Sequence, residues 1–140
     1  MSMVHDNIIL SYQADFESGT LTLKTRYYND EFCEDTDVVF TGYLTHIFYD
    51  ILGENRNIIF DIEEYPMNLF LERERELLSK RKNHCWPISY ENFEDLINFF
   101  QSNTFKVFSI DSSLGLWGYI IAKEMNVVVK NQILKSDDKS

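Results

Sequence analysis

Apolar residues change their spacing twice along this chain, at Pro66 and again after Thr104. Up to Pro66 they recur at every second position, the period at which a pleated strand returns to the same face. Between residues 67 and 100 they recur at every third or fourth, the period of a helix stripe, and beyond Thr104 the shorter spacing returns. Strands and helices therefore come in blocks. Segregated blocks build an α+β domain, whereas a doubly wound sheet needs the two to alternate.

In the first block Ile8, Leu10, Tyr12, Ala14 and Phe16 are spaced to share one face of a strand. Glu17-Ser18-Gly19 supplies turn residues, and Leu21, Leu23, Thr25 and Tyr27 return as the hairpin partner, with Thr20, Thr22, Lys24 and Arg26 on the wet side. Residues 29–37 carry Asp30, Glu31, Glu34, Asp35 and Asp37 without an apolar period, which predicts an exposed acidic loop. A long strand is expected over residues 38–50, bent at Gly42, and another over residues 58–65, halted by Pro66.

The helical block places Met67, Phe70, Leu71, Glu74, Leu77 and Leu78 on one stripe and ends at Lys80-Arg81-Lys82, charges that suit a helix C-terminus. A second helix is expected from an N-cap at Ser89, with Phe93, Leu96, Ile97 and Phe100 inward. Strand character returns over residues 105–110 and 116–122, and Val127-Val128-Val129 predicts a short edge strand. The expected architecture is a mainly antiparallel sheet of about six strands, with two sequence-contiguous helices packed on one face.

With 44% hydrophobic and 15% aromatic residues among 140, the chain has the means to bury a core that a disordered sequence lacks. One α+β domain over residues 1–134 is expected, with a frayed C-terminal tail at 135–140. No apolar run approaches the roughly 20 residues that span a bilayer, and the start lacks the basic and apolar segments of a signal peptide. Cys33 and Cys85 stand in no CxxC motif, which favours a reduced, cytoplasmic setting over a disulfide framework.

The 23 acidic and 13 basic residues give a net charge of −10. That charge repels nucleic acid and anionic membranes, favours a basic protein partner, and helps keep an aromatic-rich chain soluble as a monomer or weak dimer. The motifs GxGxxG, GxSxG and HExxH and the Walker loop are all missing, and adjacent His84 and Cys85 lack paired ligands. Neither a cofactor nor a metal is expected, and binding is preferred to catalysis, with an enzymatic role left open.

Two groups of residues are candidates. Asp61, Glu63 and Tyr65 alternate with Ile58, Phe60 and Ile62 and would share one strand face, with carboxylates two apart roughly 7 Å from each other. Such a pair could hold a cation, flank a glycosidic bond, grip Lys and Arg side chains of a partner, or form the solvated face of a half-buried strand. His46, in register with Val38, Phe40, Leu44 and Phe48, would fall on an apolar face. It could be a hydrogen-bonded core residue, or line a small-molecule site with Asp61 and Glu63 if their strands pair. Trp117 and Tyr119 sit in a glycine-containing segment as core residues or interface anchors.

The runs VVFTGYLTHIF, IIFDIEEYP, His-Cys-Trp-Pro and SSLGLWGYIIA, spread over residues 5–125, resemble a group of small uncharacterised bacterial proteins. In size, charge and class the chain is also similar to the immunity proteins encoded beside bacterial polymorphic toxins, including contact-dependent inhibition systems. That resemblance implies a small acidic protein that neutralises a basic toxin domain by occlusion, and no catalytic residues. The partner-binding residues expected are Glu34, Asp35, Asp37, Asp61 and Glu63 for charge, with Tyr65 and Trp117 as anchors. The alternative is a small-molecule-binding protein or enzyme with a site around His46, Asp61 and Glu63.

Overall fold

A computed structural model describes residues 4–134; the tail expected to fray, 135–140, lies outside them. The strands are β1 Ile8–Asp15, β2 Thr20–Tyr28, β3 Phe32–Thr41, β4 Thr45–Tyr49, β5 Ile58–Tyr65, β6 Lys106–Leu114, β7 Trp117–Ala122 and β8 Glu124–Leu134. Between β5 and β6 lie α1 Met67–Arg73, α2 Arg75–Arg81, a 3-10 turn at Lys82–His84 and α3 Phe93–Ser102. The α+β class and the antiparallel sheet are as expected. The sheet has eight strands, however, in the order β4-β7-β6-β5-β1-β2-β3-β8, and there are three α-helices.

The division of the expected long strand has a physical cause. The chain breaks at Gly42, whose φ of +61° a side-chain-bearing residue rarely adopts, so that strand becomes β3 and β4. The Lys123 side chain, between β7 and β8, lies over that glycine. The pairs β3–β8 and β4–β7 are thus two halves of one antiparallel ribbon, bent where Gly42 meets Lys123. The two ends of the strand order belong to this ribbon, so the sheet folds over on itself.

The expected acidic loop is instead the first half of β3. Each of its carboxylates stands opposite a polar residue on at least one side: Asp37 faces Lys24, Asp35 faces Arg26 and Asn131, and Glu34 faces Gln132. The edge strand expected at Val127–Val129 runs from Glu124 to Leu134 because the whole of β3 pairs with it. The first expected helix is interrupted at Glu74, whose buried carboxylate accepts a hydrogen bond from the Tyr49 hydroxyl at 2.7 Å. The cap of the last helix is Asn92 rather than Ser89, its side chain accepting from Asp95 N.

Two bulges shift the pleat. Ile9 pairs with Thr25 and Ser11 with Lys24, so Leu10 is an extra residue and Ile9 turns inward instead. Ile59 pairs with Ser112 and Asp61 with Asp111, so Phe60 is extra and 53% exposed, while Ile59 and Ile62 enter the core. The expected face of Ile58, Phe60 and Ile62 is corrected accordingly.

One apolar layer fills the folded-over sheet, with Leu21, Leu23, Phe40, Ile59, Ile110 and Ile120 fully enclosed. A second joins the helices to β4, β6 and β7 through Phe70, Leu78, Leu96, Phe100, Ile47 and Ile121. Each such side chain contributes roughly 1.5–3 kcal/mol by leaving water. Asn57 pins the loop after β4: its Oδ1 accepts from Leu52 N and Leu116 N, each at 2.9 Å.

The seam between β4 and β7 requires Gly118. Its φ is +152°, and a Cβ there would stand 1.9 Å from the Ile47 carbonyl oxygen. Gly118→Ala is expected to destabilise the fold by about 1–3 kcal/mol, as overpacking of a close seam does, measured by urea denaturation. A neutral result would show that β4 is not held against β7 at this distance.

Candidate functional site

The site begins with where β2 starts. Thr20, its first residue, pairs with Thr41, the last of β3. Beyond that point β4 keeps β7 on one side and, among the described residues, has no strand on the other. A groove of about 660 Å³ lies there, lined by Tyr12, Ile51, Leu77, Arg81, His84, Trp86 and the run His46-Ile47-Phe48-Tyr49.

The walls come from opposite sides of β4. His46 and Phe48 point toward β1, where the Tyr12 ring meets them edge-on at centroid distances of 5.6 and 5.0 Å. Ile47 and Tyr49 point toward the helices and pack in the helix layer beside Leu77 and Trp86. Trp86 is fixed by a 3.0 Å hydrogen bond from its indole Nε1 to Thr45 Oγ1. Neighbouring residues of a strand face opposite ways, so four consecutive residues can line one cavity only if it runs along the strand's edge. The groove floor is therefore the unpaired edge of β4.

The electrostatics of the groove oppose those of the whole chain. No carboxylate among the described residues lines it, although the chain carries 23. Arg81, at the end of α2, has no ion-pair partner among the described residues. Burial lowers the pKa of His46 below its ordinary 6.5, and its Nδ1 is hydrogen-bonded to the Tyr43 hydroxyl at 2.6 Å. Burial likewise pushes the Tyr43 pKa up, so that pair is neutral near pH 7.

The expected site residues are not brought together. His46 on β4 and Asp61 and Glu63 on β5 are separated by β7 and β6, about 14 Å at the usual strand spacing. Their phases also differ: Tyr65, in step with Asp61 and Glu63, packs in the helix layer, and Phe48, in step with His46, packs in the other. The alternative site around His46, Asp61 and Glu63 is thus corrected. Asp61 stands directly opposite Asp111, and neither forms an ion pair among the described residues.

On β3, Asp35 takes both its oxygens to Arg26, at 2.5 and 3.1 Å, and this guanidinium holds its carboxyl below the usual range. Glu34 accepts from Gln132 and Thr36. Asp37 lines a shallow depression shared with Lys24, Arg26 and Lys130. Trp117 leans on Tyr49 and donates to Asp50 at 2.8 Å, while Tyr65 rests on Tyr119 with Arg73 donating to its hydroxyl. Both rings are half-buried.

Sequence reasoning singled out His46 and missed Tyr12, Arg81, His84 and Trp86. Only the basic end of the helical block, around Arg81, carried a signal, and that had a sufficient explanation in the helix dipole. No helix is long and apolar enough to cross a membrane. The chain matches no protein-family profile, no curated protein and no solved structure.

His46 makes the groove sensitive to acid. The unfolded chain takes up a proton near 6.5 and the folded chain only at lower pH. The stabilisation is therefore complete above that value and lost as pH falls through the folded one. Between about pH 7 and about pH 5 the wild type should lose more melting temperature than His46→Gln. Parallel losses in the two proteins would show that His46 titrates freely.

Proposed function

We propose that this chain is a recognition protein whose binding site is the groove beside β4 and whose ligand is anionic and partly apolar. The observation that carries this reading is a cavity that, among the described residues, has no carboxylate in its lining and holds an Arg81 without an ion-pair partner, in a chain of net charge −10. Apolar concave sites with a few placed polar groups are the usual form of a ligand site. Here Tyr12, Phe48 and Trp86 supply the apolar contact and Arg81 the charge. The resemblance to immunity proteins implies a different ligand, a basic protein partner.

Anilinonaphthalene sulfonate, an aromatic anion, is a direct probe. It should bind the native protein saturably at one site, and Arg81→Glu should weaken it about tenfold, the effect of reversing a charge that faces the ligand. Arg81 is exposed at a helix end, so folding should be unaffected. Binding that ignores both Arg81→Glu and Tyr12→Ala would place the site elsewhere.

A second reading rests on the uncompensated pair Asp61 and Asp111. Like charges directly opposite across a ladder cost a few tenths of a kcal/mol to about 1 kcal/mol, and a Lys- or Arg-bearing partner would relieve that. This face, with Glu63 beside it, is where a basic toxin domain of the immunity type would be held. Asp61→Asn with Asp111→Asn should then slow association with polylysine at low salt, read by stopped flow, while Glu34→Lys should matter less. Equal rates for the wild type and the double variant would discard this face.

A further inference from the structure

Resting on the groove reading above, we infer that the occupant is an extended acidic segment of another polypeptide, which adds a strand to the free edge of β4. Four observations lead there. The groove is lined by the consecutive residues His46, Ile47, Phe48 and Tyr49, so a ligand that fills it lies along a strand edge and not on a sheet face. That edge presents main-chain donors and acceptors for which the described residues provide no strand, and an added strand satisfies them as a matter of backbone geometry.

The dimensions agree. Five residues of β4 offer an edge of about 17 Å, enough for a guest strand of similar length. The walls then dictate the guest's sequence pattern. Side chains of an added strand alternate between its two faces. One row meets Tyr12, His46 and Phe48, and suits apolar groups. The other row meets Leu77, Arg81 and His84, and suits a carboxylate. The guest therefore alternates apolar and acidic residues.

A second copy of the chain does not meet these demands. Its own β4 would bring another Arg81 and no carboxylate from its groove lining, so two such edges facing each other repel. Side chains from both sides of β4 line the groove, and edge strands covered in this way are protected from self-association.

The test uses the full chain and an mRNA-displayed library of random octapeptides. Selection should yield peptides alternating Asp or Glu with apolar residues. A synthetic winner should displace anilinonaphthalene sulfonate and lose about tenfold in affinity on Arg81→Glu. N-methylation of alternate backbone amides should abolish its binding in one register and spare it in the other, because only one set of amides faces β4. A probe that binds in the groove while no octapeptide displaces it, or peptides indifferent to N-methylation, would overturn strand addition and leave the groove reading intact. Failure of the sulfonate itself to respond to Arg81→Glu or Tyr12→Ala would remove the groove reading instead. A concentration-dependent dimer in sedimentation that Arg81→Glu disrupts would assign the edge to a second copy and overturn the inference.

Discussion

The bend of the β3–β4 strand at Gly42 is the constraint on which the candidate site depends. The β1–β2 hairpin has already turned at that point, through a loop in which Asp15 Oδ1 accepts from Glu17 N and Ser18 N, and β2 starts opposite Thr41. Tyr43 N donates to Gly19 O, tying the bend to the turn. The chain then continues with β7 as its neighbour and no strand opposite. Had β2 begun several residues earlier, β4 would be an interior strand. The close approach of Gly118 to Ile47 holds β4 in this position from the other side, and the helices seal the face of the ribbon that carries Ile47.

Net charge alone points to β3, away from the groove. The densest run of carboxylates in the sequence, on β3, lies in a ladder with Lys24, Arg26 and Lys130 nearby, and its best-placed member is already paired. Asp35 and Arg26 are each about a third or less exposed, so their pairing contributes modestly to stability and leaves little charge to steer a partner. The groove, by contrast, is small and carries the opposite balance. A field of net −10 around a carboxylate-free cavity does not speed arrival of an acidic guest. Its affinity would have to come from contact inside the groove, and a low ionic strength would slow entry.

Much of the fold is legible because burial on one side imposes a period. Leu21, Leu23 and Thr25 alternate because β2 has one wet face, and Phe93, Leu96 and Phe100 recur because α3 lies on the sheet. The period fails where an extra residue is inserted. Leu10 and Phe60 look like core by spacing and are displaced by bulges, which cost nothing visible in composition. It fails again in the first half of β3, where Glu34, Asp35, Thr36 and Asp37 follow one another and polar partners such as Lys24, Arg26 and Gln132 stand opposite the carboxylates. Glu74 was the visible anomaly in the helical stripe, and it marks the break between α1 and α2. The site was less legible than the fold: His46 stood out as a polar residue on an apolar face, whereas Tyr12, Arg81 and Trp86 join it only through the curvature of the sheet.

The placement of charge within the groove bears on how a guest strand would find its register. Backbone hydrogen bonds alone are indifferent to register, since every non-proline residue offers the same N–H and C=O. The aromatic wall narrows the choice to every second position but does not select among them. With His46 held neutral by burial, the permanent positive charge in the groove is that of Arg81, at one end of α2 and on one side of β4. A single carboxylate placed against it would fix both which face of the guest turns toward the helices and how far along β4 the guest sits. A cation at one point does what a row of identical backbone contacts cannot: it converts a strand edge, open to any extended chain, into a site with a preferred sequence.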